Sequence, residues 1–415
     1  MKYSIVTFGC RVNQADSLHI EEQLRARGGA ATATADADVV VVNTCSVTAS
    51  ADQGARQTIR RIARDNPASR IIVTGCYATR CEDDLAALPN VVTVIRNRDK
   101  ERLADAFVER STSGDGPCGA PIEPGIGGRT AFSLRVQTGC GEPCAYCIIP
   151  STRGSGQSLP LPEVLREVAR IAASGFREII LTGVHLGSYG RDLSTPVGLI
   201  DLLRALERIS ADVVFRVSSL EPMDCSPPLV TLIGRSGGRF APHFHLPLQH
   251  ASDRMLSFMR RPYTLDYYRR LVDSIHDLMP HASIGSDMIV GFPGESDEDF
   301  RANLAYLPDS PLTHLHVFPY SDRPGTVAST MRGKVDGAVT RTRGMALRAI
   351  GQELTRRFQA SQCGTVRPGL TLDDGTLVVT DNYLKVRIPA GLPRNQRVHV
   401  KVSAVGASLA GEVVL

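Results

Sequence analysis

Six of the ten cysteines in this 415-residue chain fall into two triplets that could each hold an iron–sulfur cluster. The first triplet is a C-x₃-C-x₂-C run formed by Cys140, Cys144 and Cys147, in a stretch that contains glycine and proline. Cysteine thiolates hold iron–sulfur clusters, normally four to each cluster. A site with three cysteines therefore leaves one iron open to another ligand, and that iron is the one available for chemistry.

The second triplet, Cys10, Cys45 and Cys76, is scattered in sequence, but each cysteine closes a short apolar run. Buried parallel strands read as such runs, and ligand sites in open α/β sheets lie beyond the carboxyl ends of the strands. Three thiols at three such ends are therefore predicted to meet at one edge of a sheet and to form a second cluster site.

Each triplet could also have a role without iron. A structural zinc ion could occupy the first, although zinc sites need a fourth ligand and usually contain pairs of C-x₂-C. The second triplet could be three thiols packed in a core, because free cysteine is often a small buried hydrophobe. The other four cysteines show no comparable setting and are interpreted as structural or incidental: Cys81, Cys118, Cys225 and Cys363.

Residues 1–110 alternate Val- and Ile-rich runs with helical stretches at 16–27, 49–66 and 83–88, followed by a strand at 91–95. This alternation predicts an α/β fold in which a parallel sheet carries helices on both faces, a sandwich. A stretch rich in glycine, proline and serine at 111–130 is predicted to be a linker.

Residues 131–359 contain six strand candidates separated by helical stretches, which predicts a partial (βα)₆ barrel. The strands are predicted at 133–138, 178–183, 213–217, 243–249, 284–290 and 314–319. Polar or glycine-rich residues follow all six, at the end of a barrel where function is found. Because such residues follow all six strands, we expect them to form one composite site at this end of the barrel.

Residues 360–415 change to five short β runs, which predicts a small OB-like all-β barrel. Residues 331–415 carry 13 Lys and Arg against 6 Asp and Glu, whereas the whole chain has a net charge of only +4. A nucleic acid is the natural partner for such a basic segment, and a solubilising surface is the alternative. No apolar run reaches membrane-spanning length, and the cysteine content indicates a reducing, cytoplasmic location.

The C-x₃-C-x₂-C spacing is the signature of the radical S-adenosylmethionine (SAM) enzymes, and the whole chain resembles the methylthiotransferases of that class. In this family a three-cysteine domain precedes the radical-SAM barrel, and a TRAM domain that binds RNA follows it. The motifs at residues 9–13, 42–48, 75–77, 181–190, 216–222 and 317–326 resemble the branch that modifies N6-threonylcarbamoyladenosine at position 37, in the anticodon stem-loop of tRNA. The branch acting on N6-isopentenyladenosine is the alternative within the family.

The resemblance implies two [4Fe–4S] clusters and two uses of SAM. One SAM molecule donates a methyl group to a sulfur carried by the N-terminal cluster. A second is cleaved at the barrel cluster, and the resulting radical takes hydrogen from C2 of the adenine, where the methylthio group then joins. A sulfur donor and a reductase or flavodoxin-type electron donor are the implied partners. Outside this family, the alternatives are a radical-SAM enzyme with an electron-relay cluster and a zinc- and RNA-binding protein without activity.

Residues within the cysteine loop and at the carboxyl ends of the barrel strands are the candidates for SAM binding: Tyr146, Gly183, Ser219, Gln249, Gly291 and Gly294. The sequence departs from common radical-SAM patterns at residues 182–184, which supply no carboxylate for the SAM amino group, and at His250, where a small hydroxyl residue is usual. Arg11 is predicted to bind the carboxylate of the threonylcarbamoyl group, and a solvated arginine at a strand–helix junction is the alternative interpretation. Arg153 and Arg323 are the next candidates for this role.

Overall fold

The computed structural model describes residues 1–107, 123–125, 129–405 and 408–414. The predicted linker lies mostly outside the described residues, and so does Cys118. No helix in the described ranges is both long and apolar enough to cross a membrane.

The N-terminal part is a five-stranded parallel sheet with strand order β2-β1-β3-β4-β5. Its strands are β1 (Lys2–Thr7), β2 (Ala30–Ala31), β3 (Val39–Thr44), β4 (Arg70–Gly75) and β5 (Val91–Ile95). Its helices are α1 (Arg11–Ala26), α2 (Ala49–Asp65), α3 (Cys76–Arg80) and α4 (Glu82–Ala86), and a 3₁₀ helix spans Asn97–Phe107.

Alternation along β3 explains why helices cover both faces of this sheet. Val39 and Val41 pack in one apolar cluster with Leu24 of α1, and Val40 and Val42 pack in another with residues of α2. The predicted sandwich is confirmed. Helix α1 begins at Arg11, five residues before the predicted start at residue 16. The reason is that Cys10 already holds the extended backbone of an N-cap, without the capping side chain that marks a start in sequence.

The next part forms a partial barrel. Its strands are β6 (Phe132–Arg135), β7 (Gln137–Thr138), β8 (Gln157–Ser158), β9 (Glu178–Thr182), β10 (Val214–Val217), β11 (His243–His245), β12 (Ser283–Val290) and β13 (His314–Pro319). Its helices are α5 (Ile149–Arg153), α6 (Leu161–Ala173), α7 (Leu199–Glu207), α8 (Pro227–Arg235), α9 (Asp253–Phe258), α10 (Leu265–Leu278) and α11 (Asp297–Tyr306).

Two three-stranded parallel sheets, β6-β9-β10 and β11-β12-β13, make the barrel wall. Backbone hydrogen bonds on either side of Phe215, to Arg239 and Ala241, connect the two sheets. The six barrel strands therefore lie side by side in chain order, and the predicted (βα)₆ arrangement is confirmed. The predicted strand at 243–249 ends at His245, because the chain beyond it leaves the regular ladder and Gln249 takes a positive φ of 71°.

Alternate residues of the barrel strands face the helices or the concave inner surface, which we call the lumen. On β12, Ile284 and Met288 belong to the helix-packed core, whereas Gly285 and Asp287 face the other way. Arg216 of β10 lies on the same inner surface and donates a hydrogen bond to Glu178 of β9 at 2.8 Å. The lumen is thus polar, while the outer face of the same strands is apolar.

The C-terminal part begins with α12 (Gly337–Gln362) and ends in a closed five-stranded barrel, as predicted. Its strands are β14 (Val366–Leu372), β15 (Leu377–Thr380), β16 (Lys385–Arg387), β17 (Arg397–Val405) and β18 (Ser408–Val414). The turn at residues 380–383 reaches back to the lumen, where Arg216 donates hydrogen bonds to the carbonyl groups of Thr380 and Asp381. The ring of Tyr383 lies 4.8 Å from the Arg216 guanidinium.

Helix α1 joins the N-terminal sheet to the barrel. Its Leu18 is part of the large barrel core, and its Asp16 is fully buried and paired with Lys100, Arg135 and Arg153. These three cations hold the pKa of Asp16 well below its usual range, against the opposing effect of its own burial. The predicted division into residues 1–110, 131–359 and 360–415 stays a prediction.

Candidate functional site: two cysteine sites at the domain contact

The strand-end site consists of Cys10, Cys45 and Cys76, which follow β1, β3 and β4. These strands are parallel neighbours, so their carboxyl ends share one edge of the sheet. The pKa of the Cys45 thiol is raised to about 12, mainly by burial, with a smaller contribution from the neighbouring Cys76 and Cys10. The structure therefore brings together the three cysteines that the sequence pattern predicts to meet.

Two glycines with positive φ shape this edge. A Cβ on Gly9 would lie 2.7 Å from the Cys45 sulfur, and a Cβ on Gly75 would lie 2.2 Å from the carbonyl oxygen of Thr44. Both also adopt backbone conformations that residues with a side chain rarely adopt. The chain therefore needs glycine directly before Cys10 and Cys76.

Neighbours of the strand-end site connect it to the barrel. The Asn97 amide donates a hydrogen bond to the carbonyl of Thr152 at 2.9 Å and lies 3.6 Å from the Cys76 sulfur. Arg153 is buried in the same helix as Thr152. Burial opposes the charge of its guanidinium, but Asp16 and, to a smaller extent, Cys76 and Cys10 raise its pKa. This helix, α5, directly follows the second cysteine site.

The loop site consists of Cys140, Cys144 and Cys147. The backbone amide of Cys147 donates a hydrogen bond to the carbonyl of Cys144, which forms a turn. The backbone amide of Cys140 donates one to the carbonyl of Gly154. Burial raises the pKa of the Cys147 thiol to about 12, and charges on Cys144 and Cys140 add to the rise. The three thiols of this loop therefore also share one electrostatic environment.

Arg261 is the main cationic neighbour of the loop site. Its buried guanidinium donates a hydrogen bond to the Cys144 sulfur at 3.1 Å and another to the Tyr263 hydroxyl at 3.0 Å. It also pairs with the carboxylate of Glu221, which follows β10. Burial raises the pKa of the Cys144 thiol, and Arg261 opposes this rise because it stabilises the thiolate.

His185 lies on the other side of the loop site, after β9. Its Nε2 is 2.6 Å from an Asp224 carboxylate oxygen, and its Nδ1 is 3.8 Å from the Cys140 sulfur. Burial lowers the pKa of His185, but the hydrogen bonds to Asp224 and Cys140 outweigh burial and raise it to about 10. The imidazole is therefore cationic at neutral pH and would offset the charge of a thiolate at Cys140.

The spacing of the sulfur atoms indicates whether each triplet is suited to an iron–sulfur cluster or to a zinc ion. Zinc binds sulfur at about 2.3 Å, so two sulfurs on one zinc are at most about 4.6 Å apart. In the part of the chain that the structure describes, neither triplet has its three sulfurs within 4.8 Å of one another. The spread of each triplet and its cationic neighbours fit a cluster of several irons better than a single ion.

The candidate SAM residues lie around the mouth of the barrel, and their roles stay predictions. Tyr146 is partly buried against an apolar cluster that includes Phe292. Ser219 is exposed, whereas the hydroxyl of neighbouring Ser218 is buried and has no hydrogen-bond partner among the described residues. Gln249 stands at an isolated bridge to Met288 of β12.

The structure gives packing reasons for the three candidate glycines. A Cβ on Gly183 would come 2.9 Å from the Gln137 amide oxygen, and one on Gly291 would come 2.3 Å from the Thr340 hydroxyl of α12. Gly294 has a positive φ of 84° and lies beside the Phe258 ring. The unusual His250 is fully buried, and its Nδ1 accepts a hydrogen bond from the Ser252 amide, so it belongs to the core.

Arg11 points from α1 towards the lumen. It donates a hydrogen bond to the Tyr383 hydroxyl at 2.9 Å, and its charge contributes to lowering the pKa of His243 in the lumen, where burial is the largest cause. The two alternative arginines have buried partners: Arg153 pairs with Asp16, and Arg323 pairs with Asp52. Arg11 is therefore the most accessible of the three for a substrate.

Comparison with known proteins matches this architecture. Residues 134–307 match the Radical SAM superfamily, and residues 2–96 match the Uncharacterized protein family UPF0004. A solved radical S-adenosylmethionine methyltransferase, TsrM from Kitasatospora setae, superposes with a TM-score of 0.56 at 16% identity, over 79% of this chain and 76% of that one. The fold and the cysteine loop thus define a radical-SAM enzyme.

Sequence relatives show to which family of radical-SAM enzymes the chain belongs. The chain is 35% identical to the threonylcarbamoyladenosine tRNA methylthiotransferase MtaB of Aquifex aeolicus over 93% of this chain and 96% of that protein, and 33% identical to the Bacillus subtilis MtaB over 92% and 88%. It is 32% identical to the tRNA-2-methylthio-N(6)-dimethylallyladenosine synthase of Syntrophus aciditrophicus over 85% and 79%. The chain belongs to the radical-SAM methylthiotransferase family, as a member of the MtaB type. Enzymes of this family use two [4Fe–4S] clusters and SAM.

Proposed function

We propose that this enzyme converts N6-threonylcarbamoyladenosine at position 37 of tRNA to its 2-methylthio derivative. The observation that carries the proposal is the pair of three-cysteine sites connected through Asn97 and α5, in a chain similar to MtaB proteins over nearly its whole length. Methylthiolation needs both a sulfur-carrying site and a radical-generating site, and the two sites are direct neighbours here.

Cys140, Cys144 and Cys147 would hold the cluster that cleaves SAM, and Cys10, Cys45 and Cys76 would hold the cluster that carries sulfur. When bound, these groups supply the electron transfer, the hydrogen abstraction and the sulfur, chemistry that side chains lack. Arg261 and His185 would orient two of the loop thiolates and offset their charge. Arg153 would do the same at the strand-end site.

Glu221 is our candidate for the SAM amino group, because residues 182–184 supply no carboxylate. One oxygen of Glu221 pairs with Arg261, which itself contacts the Cys144 sulfur. The side chain is 24% exposed, so a ligand at the loop site could reach the second oxygen. The short connection from Glu221 through Arg261 to Cys144 would align SAM with the cluster.

Arg11 would recognise the substrate through its carboxylate, which isopentenyladenosine lacks. An arginine can grip a carboxylate with two parallel hydrogen bonds. Arg11 adjoins Cys10 in sequence and faces the lumen, so a carboxylate held there would place the base near the strand-end site. Tyr383 would be the resting partner that the substrate displaces.

The C-terminal barrel and α12 would bind tRNA as a TRAM domain, in keeping with the basic charge of residues 331–415. A reductase or flavodoxin-type protein would supply electrons, and a separate sulfur donor would reload the strand-end site. We place the reaction in the cytoplasm, where tRNA modification and a reducing environment coincide.

Mass spectrometry of tRNA nucleosides tests the substrate directly. In a strain that lacks this gene, we expect 2-methylthio-N6-threonylcarbamoyladenosine to disappear and its unmethylthiolated precursor to accumulate. Complementation with the wild-type gene should restore the product, and complementation with Cys144→Ala should not.

The second candidate substrate is N6-isopentenyladenosine, which the similarity to dimethylallyladenosine synthases favours. The same mass spectra decide between the two. Loss of the methylthio derivative of isopentenyladenosine, with the threonylcarbamoyl derivative unchanged, would reject our proposal and support this alternative.

A further inference from the structure

We propose that His245, Asp287 and His316 form a binding site for one divalent transition-metal ion in the lumen, separate from both cysteine sites. These residues lie on β11, β12 and β13, three neighbouring strands. Nε2 of His245 is 3.0 Å from Oδ1 of Asp287, and Nδ1 of His316 is 3.2 Å from the same oxygen. All three ligand atoms lie within 4.8 Å of one another.

These distances suit a metal ion with small adjustments. Imidazole nitrogen and carboxylate oxygen bind such ions at about 2.0–2.2 Å, which sets neighbouring ligand atoms about 3.0–3.5 Å apart. Both contacts to Asp287 already fall in that range, and the ligand atoms of the two imidazoles lie within 4.8 Å of each other. Two histidines and one carboxylate are a donor set that divalent first-row metals bind while keeping coordination positions open.

The surrounding lumen is built to hold imidazole rings. Gly285 of β12 pairs with His314 of β13, and a Cβ at residue 285 would lie only 2.0 Å from the His314 Nε2. The His314 ring lies across this space and stacks at 6.2 Å from the His245 ring. Any larger residue at 285 would displace His314. Glycine at this position of β12 therefore leaves space for the His314 ring.

The site is open towards the lumen. The His316 side chain is 57% exposed and that of Asp287 is 24% exposed, whereas His245 is nearly buried. A bound ion would therefore have His245 and Asp287 behind it and solvent in front. Its open positions would take water or an oxygen atom of a molecule that enters the barrel.

A proton competes with the metal ion for the nitrogen atom of His316. The hydrogen bond to Asp287 raises the pKa of His316, so a protonated His316 could pair with this carboxylate instead. The two occupants differ in one measurable respect, because only the metal site binds one equivalent of a divalent ion.

Titration with Mn²⁺, followed by electron paramagnetic resonance, tests the proposal on the untagged, full-length enzyme with both clusters loaded and oxidised. Mn²⁺ avoids thiolates and favours oxygen and imidazole, so vacant cysteine sites would not imitate the result. We expect one equivalent of Mn²⁺ to lose its free-ion signal in the wild type, and Zn²⁺ to displace it.

Asp287→Asn and His316→Gln should abolish this binding while iron content and circular dichroism stay at wild-type values. His276→Gln, on the exposed side of α10, is the matched control and should bind as the wild type does. His316 is exposed, so its replacement leaves the fold intact. A wild-type enzyme that leaves Mn²⁺ free, or equal binding in the Asp287 and His316 variants, would overturn the proposal.

Discussion

The two cysteine sites are built in opposite ways. The loop site takes its three cysteines from residues 140–147, and its charged neighbours Arg261 and His185 come from the same barrel. The strand-end site takes one cysteine from each of three strands, and its neighbour Arg153 comes from a different part of the chain. The loop site is thus complete within the barrel, whereas the strand-end site is complete only when the N-terminal sheet docks.

This difference explains the division of labour that we propose. A radical-generating site must be fixed relative to the barrel that holds SAM, and a local loop on a rigid wall achieves this. A sulfur-carrying site must be reloaded, and a site at a contact between two parts of the chain can be reached from outside. Cys10 is in fact exposed, whereas Cys45 and Cys76 are buried.

The largest effect is expected at the loop site. Cys144→Ala removes a ligand of the radical-generating cluster, so SAM cleavage to 5′-deoxyadenosine should be abolished and half of the iron lost. Iron analysis and chromatography of the SAM products measure both. A Cys144→Ala enzyme that still forms 5′-deoxyadenosine would refute the role of this loop.

The matching change at the strand-end site is Cys45→Ala. It should also remove half of the iron, but 5′-deoxyadenosine should still form because the barrel site is intact. Methylthiolated tRNA should be absent. Cys225→Ala is a control for the loss of a buried thiol outside both sites and should retain both clusters. If Cys45→Ala stopped SAM cleavage in folded protein, the two sites would not have separate roles.

Asp16→Asn tests whether the strand-end site depends on docking. Asp16 is fully buried and paired with three cations, so its neutralisation leaves buried charges unpaired and should lower the free energy of unfolding by about 3–5 kcal/mol. Iron loss should affect the strand-end site first. Asp65→Asn, at the exposed end of α2, is the control and should unfold at the wild-type denaturant concentration.

Because the pKa of Asp16 is depressed in the folded protein, its contribution is present above the pKa of an unfolded aspartate. It is lost as the pH falls towards the folded value. Acid should therefore destabilise the wild type more than Asp16→Asn, and denaturant titrations at neutral and acidic pH measure the difference. Parallel pH profiles for the two proteins would contradict the assignment.

Much of this arrangement could be predicted from sequence. Apolar runs that end in cysteine correctly predicted three neighbouring parallel strands, because strand burial and strand ends leave a direct trace in residue type. The strands of the partial barrel and the final β barrel could be predicted from the sequence equally well. Whether the six cysteines bind clusters stays a prediction.

The neighbours of the cysteines could not be predicted in the same way. Arg261 is 117 residues from Cys144 along the chain and reaches it through the turn after α9, a distance in sequence that no spacing rule covers. Asn97 stands in a 3₁₀ helix without a motif. His185 is the exception, because it is one of the polar residues directly after the barrel strands, and the sequence pattern predicted a site from those residues.

Arg11→Gln should have a moderate effect confined to substrate choice. Loss of a charged partner costs roughly 2–5 kcal/mol when it is buried, and Arg11 is only partly buried, so we expect kcat/KM for this tRNA to fall about tenfold. Cluster content and uncoupled SAM cleavage should not change. Tyr383→Phe removes the hydroxyl that Arg11 contacts and keeps the ring, so it separates loss of this contact from loss of the cation. Unchanged kcat/KM in Arg11→Gln would eliminate the proposed role.

The smallest effect is expected on the C-terminal barrel. Lys385 and Arg387 are exposed on β16, and replacing both with alanine should weaken tRNA binding and reduce the slope of log K against log salt by about 1.4–1.8, if each neutralises one phosphate. Binding measured at several salt concentrations gives the slope. An unchanged slope would place the RNA elsewhere. Point changes are preferable to deletion of the barrel, because Arg216 in the lumen depends on its carbonyl groups.

The sharing of α1 between two cores sets the order in which the chain can mature during synthesis. Ile20 and Leu24 find their partners within the N-terminal sheet, but Leu18 belongs to a core that begins at Phe132. The ribosome must therefore add more than a hundred residues before Leu18 is covered, and until then Asp16 lacks its partners Arg135 and Arg153. Contacts this distant in sequence form slowly. We therefore expect a cluster at the strand-end cysteines to be inserted at a late stage of biogenesis, after the barrel has been made.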